Sequence, residues 1–327
     1  MTNAAGQGQV GDERRRPPKI LIRKILILGG TTEASALVAR LAGRPEFDLT
    51  LSLAGRTAAP RREPVATRIG GFGGPEGLAR WIEANGIDAV IDATHPFAAR
   101  ISANAASACR AHSVPLLAIR RPCWARQPGD DWIEVGSVAA CVPALGPASK
   151  TIFLTIGRQE LSAFAAAPQH AYLVRTIEPV GDALPVPRVT ELRARGPFTL
   201  EDEIRLMREA GIDLLVTKNS GGAATYPKIE AARRLGVPVV IVQPPALPEV
   251  PSVSDAEGAA EWLAAHLAGR ARVPSPLWGG VRGGGGAEGT VTLDPARPPP
   301  PTPPHKGEES ASSVNVTASA APGPSRR

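Results

Sequence analysis

Apolar positions along the chain fall into short unbroken runs that alternate with segments of helical spacing. Lys24–Leu28, Asp48–Ala54, Ile87–Ala93 and Val114–Ile119 read as buried parallel strands, being short and rich in Ile, Val and Leu. Between them, Ala34, Leu37, Val38 and Leu41 recur at helical intervals after Thr31 or Thr32. A second helix, Gly77–Asn85, closes at Gly86, and a third, Phe97–His112, takes Pro96 at its first position. A short strand at Thr67–Gly70 precedes the turn Gly70-Gly71-Phe72-Gly73-Gly74. This order predicts a doubly wound parallel sheet over residues 24–120.

A cluster of breakers, Pro122, Pro128 and Gly129, marks a boundary, after which the pattern resumes. Strands are expected at Thr151–Ile156, Ala171–Thr176, Ile212–Thr217 and Val237–Val242. Helices are expected after Glu160 and at Leu200–Ala210, Tyr226–Leu235 and Ala256–Leu267, with Thr199 as an N-cap. The expectation is α/β throughout: two Rossmann-like domains, 24–120 and 121–270, facing across a cleft. Residues 1–23 are polar and without periodicity and read as a disordered leader. Of residues 271–327, 20 are Gly or Pro, so this segment reads as a disordered low-complexity tail.

Composition changes this picture little. The net charge of +6 sits in the ends: residues 24–270 carry 26 basic against 25 acidic groups, which removes the pI of 9.6 as an argument for nucleic-acid binding. The cysteines, Cys109, Cys123 and Cys141, form no C-x-x-C pair, which points to a reducing compartment and away from a metal site. The apolar run Ile25–Leu28 is flanked by Arg23-Lys24 and Gly29-Gly30, too short to span a bilayer. A soluble, cytoplasmic protein is expected.

Ligands of open parallel sheets sit beyond the carboxyl ends of the strands. There the chain offers Gly29-Gly30-Thr31-Thr32-Glu33, Gly55-Arg56, Thr94-His95-Pro96, Gly157-Arg158, Arg175-Thr176 and Lys218-Asn219-Ser220-Gly221. The first is a glycine turn into a helix, which suits a phosphate although it is not a strict G-x-G-x-x-G. An acid that would hold a ribose 2′-hydroxyl is missing from the end of the second strand. Arg56 there suits a 2′-phosphate, which favours NADP(H). His95 either caps the following helix or meets a ligand. Arg158, Arg175 and Lys218 suit an anionic substrate, or are solvated loop charges. No Tyr-x-x-x-Lys, G-x-S-x-G or H-E-x-x-H occurs.

Four segments in this order and spacing, ILILGGTTEA from Ile25, DATHPFA from Asp92, GPFTLEDE from Gly196 and TKNSGG from Thr217, resemble the precorrin-6A reductase family of cobalamin biosynthesis. The likeness covers roughly Lys24 to Leu267. It implies NADPH-dependent reduction of a double bond in a polycarboxylate tetrapyrrole, precorrin-6A, giving precorrin-6B; a related branch takes the cobalt form. By position, Gly29, Gly30, Thr31, Thr32 and Glu33 would bind the dinucleotide and Arg56 its 2′-phosphate. Thr94, His95 and Pro96 would border the nicotinamide. Lys218, Asn219, Ser220 and Gly221, with Arg158 and Arg175, would hold the substrate. His95 and then Lys218 are the candidate proton donors. Ala54 stands where a hydroxyl is expected before Gly55-Arg56. Neighbouring pathway enzymes are candidate partners. A reductase of a smaller carboxylic acid and an NADP(H)-sensing regulator are the competing readings.

Overall fold

The computed structural model describes residues 21–55, 61–267 and 315–318; Arg56, most of the expected leader and most of the expected tail lie outside the described residues. The first sheet is organised around β1 (Arg23–Leu28), whose Ile25, Leu26 and Ile27 are fully buried. Its other strands are β2 (Phe47–Leu53), β3 (Ala66–Ile69), β4 (Ala89–Asp92) and β5 (Leu116–Ile119). Helices α1 (Thr32–Leu41), α2 (Gly74–Asn85) and α3 (Ala99–Ala111) connect them. Successive residues of β1 face opposite sides, so Ile25 and Ile27 pack on α1 while Leu26 and Leu28 pack toward α2 and α3.

The second sheet holds β6 (Trp132–Val135), β7 (Thr151–Leu154), β8 (Ala171–Thr176), β9 (Val189–Arg193), β10 (Leu214–Lys218) and β11 (Val239–Val242), with helices α4 (Cys141–Ala144), α5 (Leu200–Glu209) and α6 (Pro227–Leu235). The helix expected after Glu160 is a 3-10 segment that begins earlier, Arg158–Ala166. The chain then forms β12 (Ser252–Val253) and α7 (Ala256–Leu267).

Strand order in the first sheet is β12-β5-β4-β1-β2-β3, all parallel. In the second, the parallel part runs β9-β8-β7-β10-β11-β6. The outermost strands are exchanged: β6 follows β5 in sequence but pairs with β11, and β12 follows β11 but pairs with β5. Residues 252–267, expected in the second domain, therefore belong to the first sheet. The cause is the open edge of β5, where Ala118 N–H donates to Pro251 O at 2.9 Å and Arg120 N–H to Val253 O at 2.7 Å. The apolar face of α7, Ala259, Leu263 and Leu267, then completes the core over α1. Residues 315–318, expected in the structureless tail, form β13 (Asn315–Ala318), antiparallel to the edge strand β9. Among the described residues no helix is long and apolar enough to cross a membrane.

Strand order reverses next to β1 in the first sheet, between β1 and β4, and next to β7 in the second, between β7 and β10. A crevice opens at the carboxyl ends at each of these points. The chain crosses between the sheets twice, over residues 120–131 and 243–251.

Candidate active site between the two sheets

At the first crevice Gly29 is forced by packing: a Cβ there would lie 2.5 Å from Leu51 Cδ1. Gly30 has φ +107, and nothing lies within 4 Å of where its Cβ would be, so the backbone is open to a ligand. Thr31 caps α1, its hydroxyl accepting from Ala34 N–H at 3.2 Å and donating across the crevice to Ala93 O at 2.7 Å. The Gly30–Thr32 backbone thus sits at the positive end of α1 with a floor lacking side chains, which fits a dinucleotide diphosphate. Thr32 donates to its neighbour Glu33 at 3.1 Å.

The opposite lip is built on Asp92, buried at the end of β4. Its Oδ1 accepts from the Thr94 hydroxyl at 2.6 Å and from Thr94 N–H at 3.2 Å, and its Oδ2 accepts from Arg120 Nη2 at 2.5 Å. Thr94 is thereby committed to shaping the loop. His95 is exposed, and its Nδ1 accepts from Phe97 N–H at 3.2 Å. In the neutral ring the proton therefore resides on Nε2. The helix expected from Phe97 begins instead at Ala99, because His95–Ala98 closes as a turn, Ala98 N–H donating to His95 O at 2.7 Å. Pro96 consequently occupies that turn and walls a cavity of about 480 Å³ between the two crossings, beside Arg120, Arg121 and Cys123.

Phe97 carries the first sheet's loop into the second sheet. It packs against the second sheet's core, with the His95 ring centroid 5.7 Å away and Lys218 Nζ 4.7 Å from its own centroid. The two candidate proton donors are thus brought to one aromatic ring. Lys218, at the end of β10, pairs with Glu160 across the second crevice. Arg158 is exposed; its Nε donates to Val180 O at 3.3 Å, and no carboxylate pairs with it among the described residues.

Three expected ligand residues are placed differently. Arg175 is enclosed: it pairs with Glu203 at 2.6 Å and lies over the rings of Phe198 at 3.8 Å and Phe153 at 4.9 Å, because β8 points it into the core. Burial pulls its pKa down, opposed by Glu203. Asn219 is buried with its amide already used. Its Oδ1 accepts from Trp124 N–H at 2.8 Å, and its Nδ2 donates to Trp124 O at 3.1 Å and Gln243 Oε1 at 3.3 Å. A Cβ on Gly221 would fall 2.1 Å from Pro122 O, so this glycine serves the first crossing. Ser220 is buried, and its carbonyl accepts from Arg121 Nε at 2.6 Å.

Arg121 joins the two crevices. Its Nη1 lies 2.8 and 2.9 Å from the oxygens of Glu33, so Glu33 faces the second sheet. Burial raises the Glu33 pKa, but Arg121, the Glu33 backbone N–H and the Thr32 hydroxyl together outweigh it and hold the carboxyl below its ordinary range. Arg121, Asp92, Arg120, Phe97 and Glu160 were missed as site residues; the two arginines directly after β5 were the available signal, since they stand at a strand end. Cys109 and Cys141 are buried, and burial pushes both thiols up to about 12, which suits packing.

Residues 24–264 match the family described as "Precorrin-6x reductase CbiJ/CobK". The chain is 51% identical over 245 residues to the precorrin-6A reductase of Sinorhizobium sp, covering 74% of this chain and 94% of that one. It is 28% identical over 233 residues to the cobalt-precorrin-6A reductase of Priestia megaterium, covering 68% and 90%. The solved structure of CobK precorrin-6A reductase superposes with a TM-score of 0.72 at 47% identity, over 75% of this chain and 97% of that one.

Proposed function

This chain belongs to the precorrin-6x reductase family of cobalamin biosynthesis, and we propose that it uses NADPH to reduce one double bond of the precorrin-6A macrocycle, giving precorrin-6B. The observation that carries the reading is the contact of Arg121 with both Glu33 and Ser220 O. It ties the dinucleotide turn to the Lys218–Gly222 loop, so that both front one cleft. A dinucleotide whose diphosphate is held at the Gly29–Thr32 turn would supply a hydride from its nicotinamide.

The protein's own groups orient the reactants and manage the proton. Thr31 holds the turn to Ala93, and Asp92 fixes the loop that presents His95. The exposed His95 relays a proton from solvent through Nε2 to the carbon that does not receive hydride, so that a hydride and a proton add across the double bond. Lys218 is the second donor, its charge balanced by Glu160. Arg158 and Lys218 meet substrate carboxylates, whereas Arg175, Asn219 and Gly221 shape the wall behind them. Positioning the two reactants in contact is the main catalytic contribution. The higher identity to a precorrin-6A reductase than to a cobalt-precorrin-6A reductase favours the metal-free substrate.

The test is NADPH oxidation followed by absorbance with precorrin-6A and, in parallel, its cobalt form. Oxidation with precorrin-6A is expected; no oxidation of NADPH with either, by folded protein, sinks the proposal.

A further inference from the structure

We propose that Arg68 is a specificity-determining residue that binds the 2′-phosphate of the cofactor; this rests on the NADPH reading above. Arg68 lies on β3 opposite Ser52 of β2, at the carboxyl ends of both strands. A dinucleotide held at the β1–α1 turn lays its adenosine ribose over this edge of the sheet. The loops that follow β2 and β3 touch one another there. Gly70 N–H donates to Leu53 O at 2.8 Å, and a Cβ on Gly55 would sit 3.0 Å from Ile69 Cγ2.

The Arg68 guanidinium is fixed by neutral groups. Nη1 donates to Ser52 Oγ at 2.8 Å and to Gly70 O at 3.0 Å, and Nη2 donates to Gly71 O at 3.0 Å. One face of the guanidinium stacks on the Phe72 ring, 3.7 Å from its centroid. Phe72 is itself held: its carbonyl presses so close to Gly77 of α2 that a Cβ there would lie 1.8 Å away. The ring also meets Trp81 edge-on at 5.6 Å.

Among the described residues the charge has no counter-ion. Arg120, Arg121, Arg175 and Lys218 each pair with a carboxylate, whereas no acid lies within salt-bridge distance of Arg68 among the described residues. Glu63, five residues earlier in the chain, is engaged by Ser35 at 2.6 Å and by Arg61. Three of the five guanidinium hydrogens are used, which leaves two donors of fixed orientation on a half-buried cation. The floor beside it is bare: nothing lies within 4 Å of the missing Cβ of Gly70, Gly71 or Gly73. A pre-oriented, unneutralised guanidinium beside an open glycine floor is the arrangement that recognises a phosphate dianion and leaves a 2′-hydroxyl with little to gain.

The test is calorimetric titration of the full chain with 2′,5′-ADP and with 5′-AMP, ligands that differ by the 2′-phosphate alone. The unmodified protein should favour 2′,5′-ADP at least tenfold. R68Q should reduce that preference to threefold or less while its affinity for 5′-AMP stays within threefold. R68K, which keeps the charge and loses the fork, should fall between, and it decides the matter if R68Q does not fold. An unchanged ratio in R68Q or R68K overturns the assignment alone, as does parallel weakening of both ligands, the signature of a merely structural role. Equal binding of both ligands by the unmodified protein overturns the NADPH reading and this assignment with it.

Discussion

Arg121 places one nitrogen 2.8 Å from Glu33 and another 2.6 Å from the carbonyl of Ser220, so a single side chain touches the first turn of α1 and the loop after β10. Both partners are mostly shielded, with side-chain exposures of 16% and 20%, which lifts this pair above an ordinary surface ion pair. R121Q is expected to raise the KM for precorrin-6A about 5- to 30-fold, equivalent to about 1–2 kcal/mol for a charge-assisted contact. E33Q should produce a similar rise, and the double variant little more than either. Steady-state kinetics on the three variants check this, since additive effects would mean that the two residues act separately.

The strands and the residues at their ends were legible because burial on both faces leaves continuous apolar runs, as in β1 and β4. The parallel order followed from their alternation with helices. The exchange of β6 and β12 was not legible. Both are short edge strands, and nothing in Trp132–Val135 or Ser252–Val253 states which sheet they join; for β12 that is decided by the open edge of β5 and the apolar surface that α7 covers. The candidate site reads from the sequence as a set of loops at strand ends, but sequence does not reveal which way a side chain turns. Arg175 and Lys218 are both cations at strand carboxyl ends. One points into the core against Glu203 and Phe198, the other toward the cleft against Phe97.

His95 is expected to act on turnover rather than binding. Its Nδ1 is tied to Phe97 N–H, and its exposed ring presents Nε2. H95A should lower kcat about 10²- to 10³-fold, the usual worth of a positioned general acid, with NADP+ affinity within about twofold. Single-turnover kinetics and equilibrium titration separate the two effects. An unchanged kcat would transfer the proton to Lys218 or to water.

Arg175 is expected to matter for stability and not for substrate affinity. Removing it in R175M leaves the Glu203 carboxylate buried and unpaired, a loss of about 3–5 kcal/mol. The double variant R175M/E203M removes both charges and should recover most of that loss. Urea unfolding of the three proteins measures this. Where the double variant is folded, its KM for precorrin-6A should lie within about threefold of the unmodified value.

Lys228 supplies a pH dependence whose sign is set by burial. Its ammonium lies fully within the core beside Trp124 and donates to Thr225 O at 3.1 Å. Burial, reinforced by Arg175 and Arg121 and opposed by Glu203, lowers its pKa to about 7 from an unfolded value near 10.5. Below pH 7 both states hold the proton, and the folded state bears the full cost of a buried cation. Between pH 7 and about 10.5 the folded protein releases the proton while the unfolded chain keeps it, so stability rises with pH, by at most about 1.4 kcal/mol per unit. Arg175, Glu203 and Arg121 are the charged groups that act on this amine. K228M abolishes the titration: its urea midpoint should exceed that of the unmodified protein most at pH 6.5, and the gap should shrink steadily toward pH 9. A gap that is constant with pH would show that Lys228 is charged in the folded protein throughout.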